Sequence, residues 1–399
     1  MNRTPRIDRG AIFRLAISIG CLAVVTPAGA QTTTDASPYY IGASLGYTHD
    51  SNVNRTRPGS EVADSYLSYG VLGGVNLRFG RQRVFADVDA QVNRYQEISG
   101  LNNKSYAVTG GLDWETIETL SGTLRYIARN NLATFSTGAG GIFVSDQQSQ
   151  QFAATARYGL PSQVTLDIGY DHRLLEVASA SDRDFTQDTV SAGVRWAVGG
   201  KLTLGAGVRA SRGEQQTVPV DETRRRDIDL TATYATGSFS TFNARLSATK
   251  ETHSLATATD ISETTGALSW SYRPTGRFSF NLSATRDTGR ESTFSTATAG
   301  DGSTDGVAVD STRLGTTFAL DGQYELTGKI SLNGNLRQRK GTLGSSGSET
   351  FRGYGVGFSY LPTRSVALRC SVGREDRSIG GTTAYEVTIT GCTGELTFR

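Results

Sequence analysis

From Tyr39 onward, apolar and polar positions alternate along the chain with a period of two. Tyr39, Ile41, Ala43, Leu45 and Tyr47 make one face, and Tyr40, Gly42, Ser44, Gly46 and Thr48 make the other. A helix would return its apolar residues about every 3.6 positions, whereas a period of two is the pleat of a strand. The pattern recurs in Leu67 to Phe79, Tyr106 to Trp114, Val164 to Tyr170, Leu202 to Val208 and Ile228 to Tyr234. It appears again in Phe278 to Ala284, Leu314 to Leu320, Tyr354 to Tyr360, and Tyr385, Val387 and Ile389. Each copy predicts a strand with one apolar face.

The connections alternate in length. Short turns fall at 80–82, 159–163, 199–201, 273–276, 326–329 and 361–365, several of them marked by Gly or Pro. Longer polar stretches fall at 50–64, 136–146, 178–184, 211–226, 252–263, 290–310 and 340–349. Short turns on one rim and long loops on the other are the pattern of an antiparallel transmembrane barrel. Counting segments gives an all-β, up-and-down barrel of eighteen strands, with sixteen as the alternative, and no internal domain boundary over residues 31–399.

A barrel of that size encloses a lumen wider than side chains can fill, so its apolar face must meet lipid. The opposite face then carries Arg78, Asp87, Asp89, Asp113, Arg125, Arg129, Arg157, Asp167, Asp171, Arg173, Arg195, Arg209, Asp227, Asp229, Arg245, Arg337 and Arg369. Charges of both signs are costly in a dry core and tolerable beside water. Nine of these arginines, all but Arg173, are candidate lumen-lining residues that either brace the wall against the acids or guide anionic solutes. Tyr47, Phe79, Trp114, Tyr158, Tyr170, Trp196, Tyr234, Trp270, Tyr272 and Tyr360 fall near segment ends, where interfacial girdles belong.

The N-terminus changes the picture of charge and location. Arg3, Arg6, Arg9 and Arg14 precede the apolar run Leu15 to Val25, and Ala28-Gly29-Ala30 closes it with small residues. This order predicts a signal peptide over 1–30, with Cys21 lacking the aliphatic residue upstream that a lipoprotein site uses. Removing four Arg and one Asp leaves basic and acidic residues nearly equal. A near-neutral chain gives no electrostatic case for nucleic acid. After Ala30 no apolar stretch is long enough for a membrane-spanning helix.

Other motifs are weaker. Gly42-Ala43-Ser44-Leu45-Gly46 matches the nucleophile elbow of hydrolases, but it lies inside an alternating strand rather than at a strand-to-helix turn. Asp50, Asn52, Asn54 and Glu61 have the spacing of a calcium loop, yet Arg55 stands where the sharp turn needs Gly. His49, His172 and His253 are far apart and do not form a metal cluster. His49 or His172, beside Asp50 or Asp171, leaves an enzymatic rim as a minor reading. No cofactor is expected.

Cys370 and Cys392 are predicted to pair across the final hairpin, with its turn near 378–382. Alternation places Cys370 in phase with the outward Val366 and Leu368. It places Cys392 out of phase with Tyr385, Val387 and Ile389, so a bulge at Gly391 or Gly373 is expected.

Tyr47-Thr-His-Asp-Ser-Asn-Val-Asn-Arg55 and the last hairpin, Arg369-Cys370-Ser-Val-Gly-Arg-Glu-Asp-Arg377 through Gly391-Cys392-Thr-Gly-Glu-Leu-Thr-Phe-Arg399, resemble the outer-membrane β-barrel porins (EpsL-like) that accompany exopolysaccharide biosynthesis and export operons. The resemblance implies a channel for polysaccharide export, with outer-membrane lipid, lipopolysaccharide, the polymer and export-machinery proteins as partners. A general or nutrient porin for small hydrophilic solutes is the alternative, and a structural or enzymatic barrel acting through its rim loops is the third class.

Overall fold

A computed structural model describes residues 37–399 apart from 117–118, 137–141, 217–219, 238, 256–259, 289–311 and 344–346. The signal-peptide expectation and the polar stretch 290–310 lie outside the described residues. Eighteen strands follow one another along the chain. They are β1 (Tyr39–Asp50), β2 (Asp64–Phe79), β3 (Gln82–Tyr95), β4 (Asn103–Glu115), β5 (Leu120–Ser136) and β6 (Ile142–Gly159). Then come β7 (Val164–Val177), β8 (Phe185–Val198), β9 (Leu202–Gln215), β10 (Asp221–Ala235), β11 (Ser240–His253) and β12 (Ile261–Tyr272). The last six are β13 (Phe278–Asp287), β14 (Thr312–Thr327), β15 (Ile330–Leu343), β16 (Gly347–Tyr360), β17 (Val366–Ile379) and β18 (Thr382–Phe398).

Every strand pairs antiparallel with its sequence neighbours, and β1 also pairs with β18, which closes the sheet. The closing ladder runs without a register shift from Ile41 opposite Phe398 to Asp50 opposite Ile389. Closure leaves no unpaired edge, the condition for a sheet to cross hydrocarbon. Eighteen strands about 4.8 Å apart and tilted by about 40° enclose a backbone cylinder roughly 35 Å across. Side chains cannot fill that width.

The outer surface is apolar where a soluble protein would be polar. Ile41 (67 % exposed), Ile168 (66 %), Ile228 (64 %) and Val356 (62 %) stand fully open on the outside. Along β10 the alternation is clean: Thr223, Arg225, Asp227 and Asp229 are buried on the inner side, while Arg224, Arg226, Ile228 and Leu230 point out. Aromatic residues gather toward the short-turn rim, among them Phe79, Tyr158, Trp196, Tyr234 and Phe398, all exposed. Phe242, Trp270, Tyr272, Phe278 and Phe280 form a continuous run of ring contacts there, with the Trp270 and Phe280 centroids 4.9 Å apart. A closed barrel with an apolar outer band and an aromatic girdle is an outer-membrane protein.

Two expectations need correction. Among the described residues, the polar stretches 136–146, 211–226 and 340–349 are largely strand: β9 continues to Gln215 and β10 already begins at Asp221, and β15 and β16 reach Leu343 and Gly347. Above the lipid the outward positions meet water and lose their apolar character. The cross-strand hydrogen bonds continue, so the strands outlast the pattern that announces them.

The second correction concerns the final hairpin. Cys370 and Cys392 are directly opposed and joined by a disulfide with an S–S distance of 2.09 Å. No bulge occurs at Gly373 or Gly391; the one register shift lies nearer the turn, between Arg377 and Ser378. Cys392 is opposite the outward Tyr47, so both cysteines face out. Tyr385, Val387 and Ile389 therefore face the lumen, not lipid. Tyr385 and Val387 are each only 2 % exposed because a loop covers them.

Candidate functional site: a charge-laddered lumen

The inner wall is built from inward positions of consecutive strands, and its arginines meet carboxylates across the ladder. On β3 to β5, Arg83 and Arg125 both reach Asp113, at 3.4 and 2.7 Å, and their guanidinium groups lie over the Phe85 ring at 4.9 and 4.4 Å. On β6 to β8, Asp167 accepts from Arg157 Nε at 2.9 Å and from Arg195 Nε at 2.6 Å. On β9 to β11, Arg209 Nε donates to Asp229 at 2.6 Å and Ser247 donates to the same carboxylate at 2.5 Å. Beside it, Arg225 holds Asp227 with both Nε and Nη2 at 2.9 Å. At the seam, Arg369 pairs with Glu395.

Of the nine arginines singled out from sequence, all occupy inward positions. Arg125, Arg157, Arg195, Arg209 and Arg369 are ion-paired as described. Arg245 stands within electrostatic reach of Asp229. Arg78 is opposite Arg83, Arg129 is opposite Ala107 and Ser149, and Arg337 is opposite Ala319 and Gly353. The dominant arrangement is therefore a braced wall of alternating sign. Sequence reading missed Arg83, Arg225 and Arg377. Each is at an inward position by the period of two; Arg225 is hidden in a run of three consecutive arginines, and Arg377 pairs at 2.6 Å with a glutamate, Glu349, one strand away.

On the same wall a cavity of about 250 Å³ opens between β6 and β11. Asp171, Arg173, Arg209, Arg225 and Glu251 supply charge, and Thr155, Thr189, Ser191, Ser211 and Thr223 supply hydroxyls. Thr288, just beyond β13, accepts from Arg225 Nη1 at 2.7 Å, although β10 and β13 are not neighbours. The Thr288 side chain thus lies on the inner side of the wall. Tyr170 is the one aromatic among the described lining residues and its strand position faces outward, so the cavity offers mainly polar contacts to a hydrated solute.

A second inward element narrows the lumen near the long-loop rim. The connection between β1 and β2 folds against the inner face of β18. Ser51 N donates to Thr388 O at 3.0 Å, and Asn52 Nδ2 donates to Glu386 O at 3.0 Å and to Thr56 O at 2.8 Å. Asn52 is fully buried and Val53 is 4 % exposed. Arg55 adopts a left-handed backbone, φ 52°, and its guanidinium bonds Asp50 at 2.8 Å and lies 5.9 Å from the Tyr385 ring centre. Burial works to lower the Arg55 pKa, but Asp50 and Glu375 outweigh it and push the pKa up, so the guanidinium stays charged. Tyr66 and Tyr95 pack against each other nearby, with centroids 4.8 Å apart and ring planes tilted by 35°.

This packing disposes of the calcium reading. The Asp50 carboxylate is taken by Arg55 and by the backbone N–H of Asn52, the Asn52 side chain is spent on Thr56 and Glu386, and Glu61 accepts from Gly59 N. The histidine pairings are also corrected. His49 meets Ser65 at 3.0 Å and His172 meets Asp188 at 2.8 Å, whereas Asp171 points inward to Gln151 and Arg173. Adjacent strand residues face opposite sides, so neither histidine reaches the acid beside it in sequence. His253 instead sits between Asp221 at 2.8 Å and Glu251 at 3.5 Å. Ser44 is 7 % exposed within β1, with no elbow around it. Among the described residues no group of three or more His, Cys, Asp or Glu is placed to hold a metal.

No family model matches the chain, and no curated protein matches it in sequence. Solved structures similar in shape include the outer membrane protein opdK from Pseudomonas aeruginosa, at 15 % identity over 90 % of this chain and 99 % of that one, with TM-score 0.49. Pseudomonas aeruginosa OccK2 (OpdF) aligns at 12 % identity over 90 % of this chain and 97 % of that one, with TM-score 0.49. The FrpB iron transporter from Neisseria meningitidis aligns at 11 % identity over 85 % of this chain and 63 % of that one, with TM-score 0.44. At TM-scores below 0.5 these likenesses carry no argument, and the placement in the outer membrane rests on the barrel itself.

Proposed function

We propose that this outer-membrane channel passes small hydrophilic solutes by diffusion along a hydrated, charge-balanced wall. The observation that carries the reading is the pairing of inward arginines with inward carboxylates around a lumen too wide to be a packed core. Paired charges hold water and tolerate solutes of either sign, and they do not present a one-sign track. The residues 51–63 folded against β18 reduce the free cross-section and favour small molecules over a polymer. Polysaccharide export rests on the resemblance alone, and export-machinery partners have no further support.

The test is a liposome-swelling series with neutral sugars of increasing size. Swelling with mono- and disaccharides that falls away for larger oligosaccharides is the expected result. Undiminished entry of long oligosaccharides would favour a polymer conduit and overturn the small-solute reading.

A further inference from the structure

Above the apolar band on β9 to β11, the outward face turns basic. Arg224 and Arg226 on β10 and Lys250 on β11 are exposed and point away from the lumen, with Arg212 on β9 beside them. The register sets Arg226 directly opposite Lys250, and Arg224 directly opposite Arg212. Like charges opposed across a ladder repel. Arg212 is eased by Glu222 at 3.3 Å and Glu214 at 3.7 Å. Among the described residues Arg224, Arg226 and Lys250 have no such carboxylate.

Directly below this patch, on the same outward face, lies an apolar groove of about 710 Å³. Leu230, Leu246 and Leu268 form its walls, and the small Ala232, Ala244 and Gly266 form its floor. Arg286 lines its edge, with Glu263 at 3.8 Å. Four residues separate Lys250 from Leu246, so cations and groove are about 10 Å apart along the tilted strands. That is the arrangement of a lipid: anionic headgroup above, acyl chain below.

We propose that this face binds a polyphosphorylated lipid of the outer leaflet, with its phosphates on Arg224, Arg226 and Lys250 and an acyl chain in the groove floored by Ala232, Ala244 and Gly266. The patch lies at the long-loop rim, which faces the cell exterior in outer-membrane barrels. Arg224 and Lys250 lie on neighbouring strands and two positions apart along them, roughly 8 Å at about 4.8 Å per strand and about 3.4 Å per residue. One phosphodiester engages only a neighbouring pair. A glycolipid headgroup with two phosphates matches the spread, and the occupant is assigned to that class rather than to an anionic phospholipid.

The inference rests on the placement in the outer membrane and is independent of cargo. Its test is native mass spectrometry of the detergent-solubilised protein titrated with bisphosphorylated lipid A, dephosphorylated lipid A or phosphatidylglycerol. Heat-modifiable gel migration reports folding of each variant separately. The wild-type protein is expected to retain one bisphosphorylated lipid A, with affinity about tenfold or more above that of R224Q/R226Q/K250Q. Ala244→Phe, which fills the groove and leaves the charges, is expected to weaken retention too. The comparison of the two lipid A forms on wild-type protein needs no variant. Equal binding of the dephosphorylated form, or undiminished binding by the folded triple variant, would overturn the headgroup assignment. Equal binding by folded Ala244→Phe would overturn the groove, and equal binding of phosphatidylglycerol would overturn the choice of glycolipid.

Discussion

Asp227 and Asp167 each hold arginines on the inner wall, but their surroundings differ enough to give opposite expectations. The Asp227 side chain is 1 % exposed and takes two bonds from Arg225, itself 7 % exposed, and one from Thr249 at 2.5 Å. Removing its charge takes the bidentate carboxylate away from a buried guanidinium, and breaking a buried pair costs up to roughly 3–5 kcal/mol. The Asp167 pairs are wetter, with Arg157 and Arg195 each 40 % exposed, and such pairs contribute at most about 1 kcal/mol. Urea unfolding in lipid vesicles should therefore show Asp227→Asn markedly less stable than wild type and Asp167→Asn nearly unchanged. Similar losses for both would mean that burial does not set the strength of this ladder. Much of this was legible in the sequence, since a period of two assigns each of these charges to the inner face. The pairing was not, because it depends on the strand register, which single-strand patterns leave open.

At the scale of elements, β18 shows where alternation misleads. Tyr385, Val387 and Ile389 read as a lipid-facing stripe because apolar residues inside a wet lumen are unexpected. They are inside because residues 51–63 fold over them, and Arg55, clamped between Asp50 and the Tyr385 ring, anchors that fold. The correct face follows from register: Cys392 is opposite both Cys370 and Tyr47, which fixes the phase of the whole strand. A similar inward apolar cluster of Ala133, Leu175, Val177 and Phe185 lies at the long-loop ends of β5, β7 and β8. If the β1–β2 connection narrows the lumen as described, Arg55→Ala should free it from β18. Open-channel conductance should then rise, and residues 51–63 should become sensitive to protease added at the cell surface. An unchanged conductance with unchanged protection would show that Arg55 does not hold the loop.

For the whole molecule, the strand count, the closure and, outside β18, the inside–outside assignment follow from a chain that alternates apolar and polar positions and alternates short turns with long polar stretches. Strand lengths were underestimated because the lipid boundary ends the apolar signal before the hydrogen-bonded ladder ends. Cargo was least legible, since a balanced set of inward charges selects water and small solutes in general, not one compound. A water-filled, charge-balanced pore should carry ion current when the purified protein is inserted in planar bilayers. Discrete, ohmic conductance steps are predicted, with a reversal potential close to zero in a salt gradient because paired wall charges favour neither ion. Folded protein that inserts but carries no current, both as wild type and with residues 52–62 replaced by a short Gly–Ser link, would contradict the pore. A reversal potential near the limit for one ion would contradict the balance of charge.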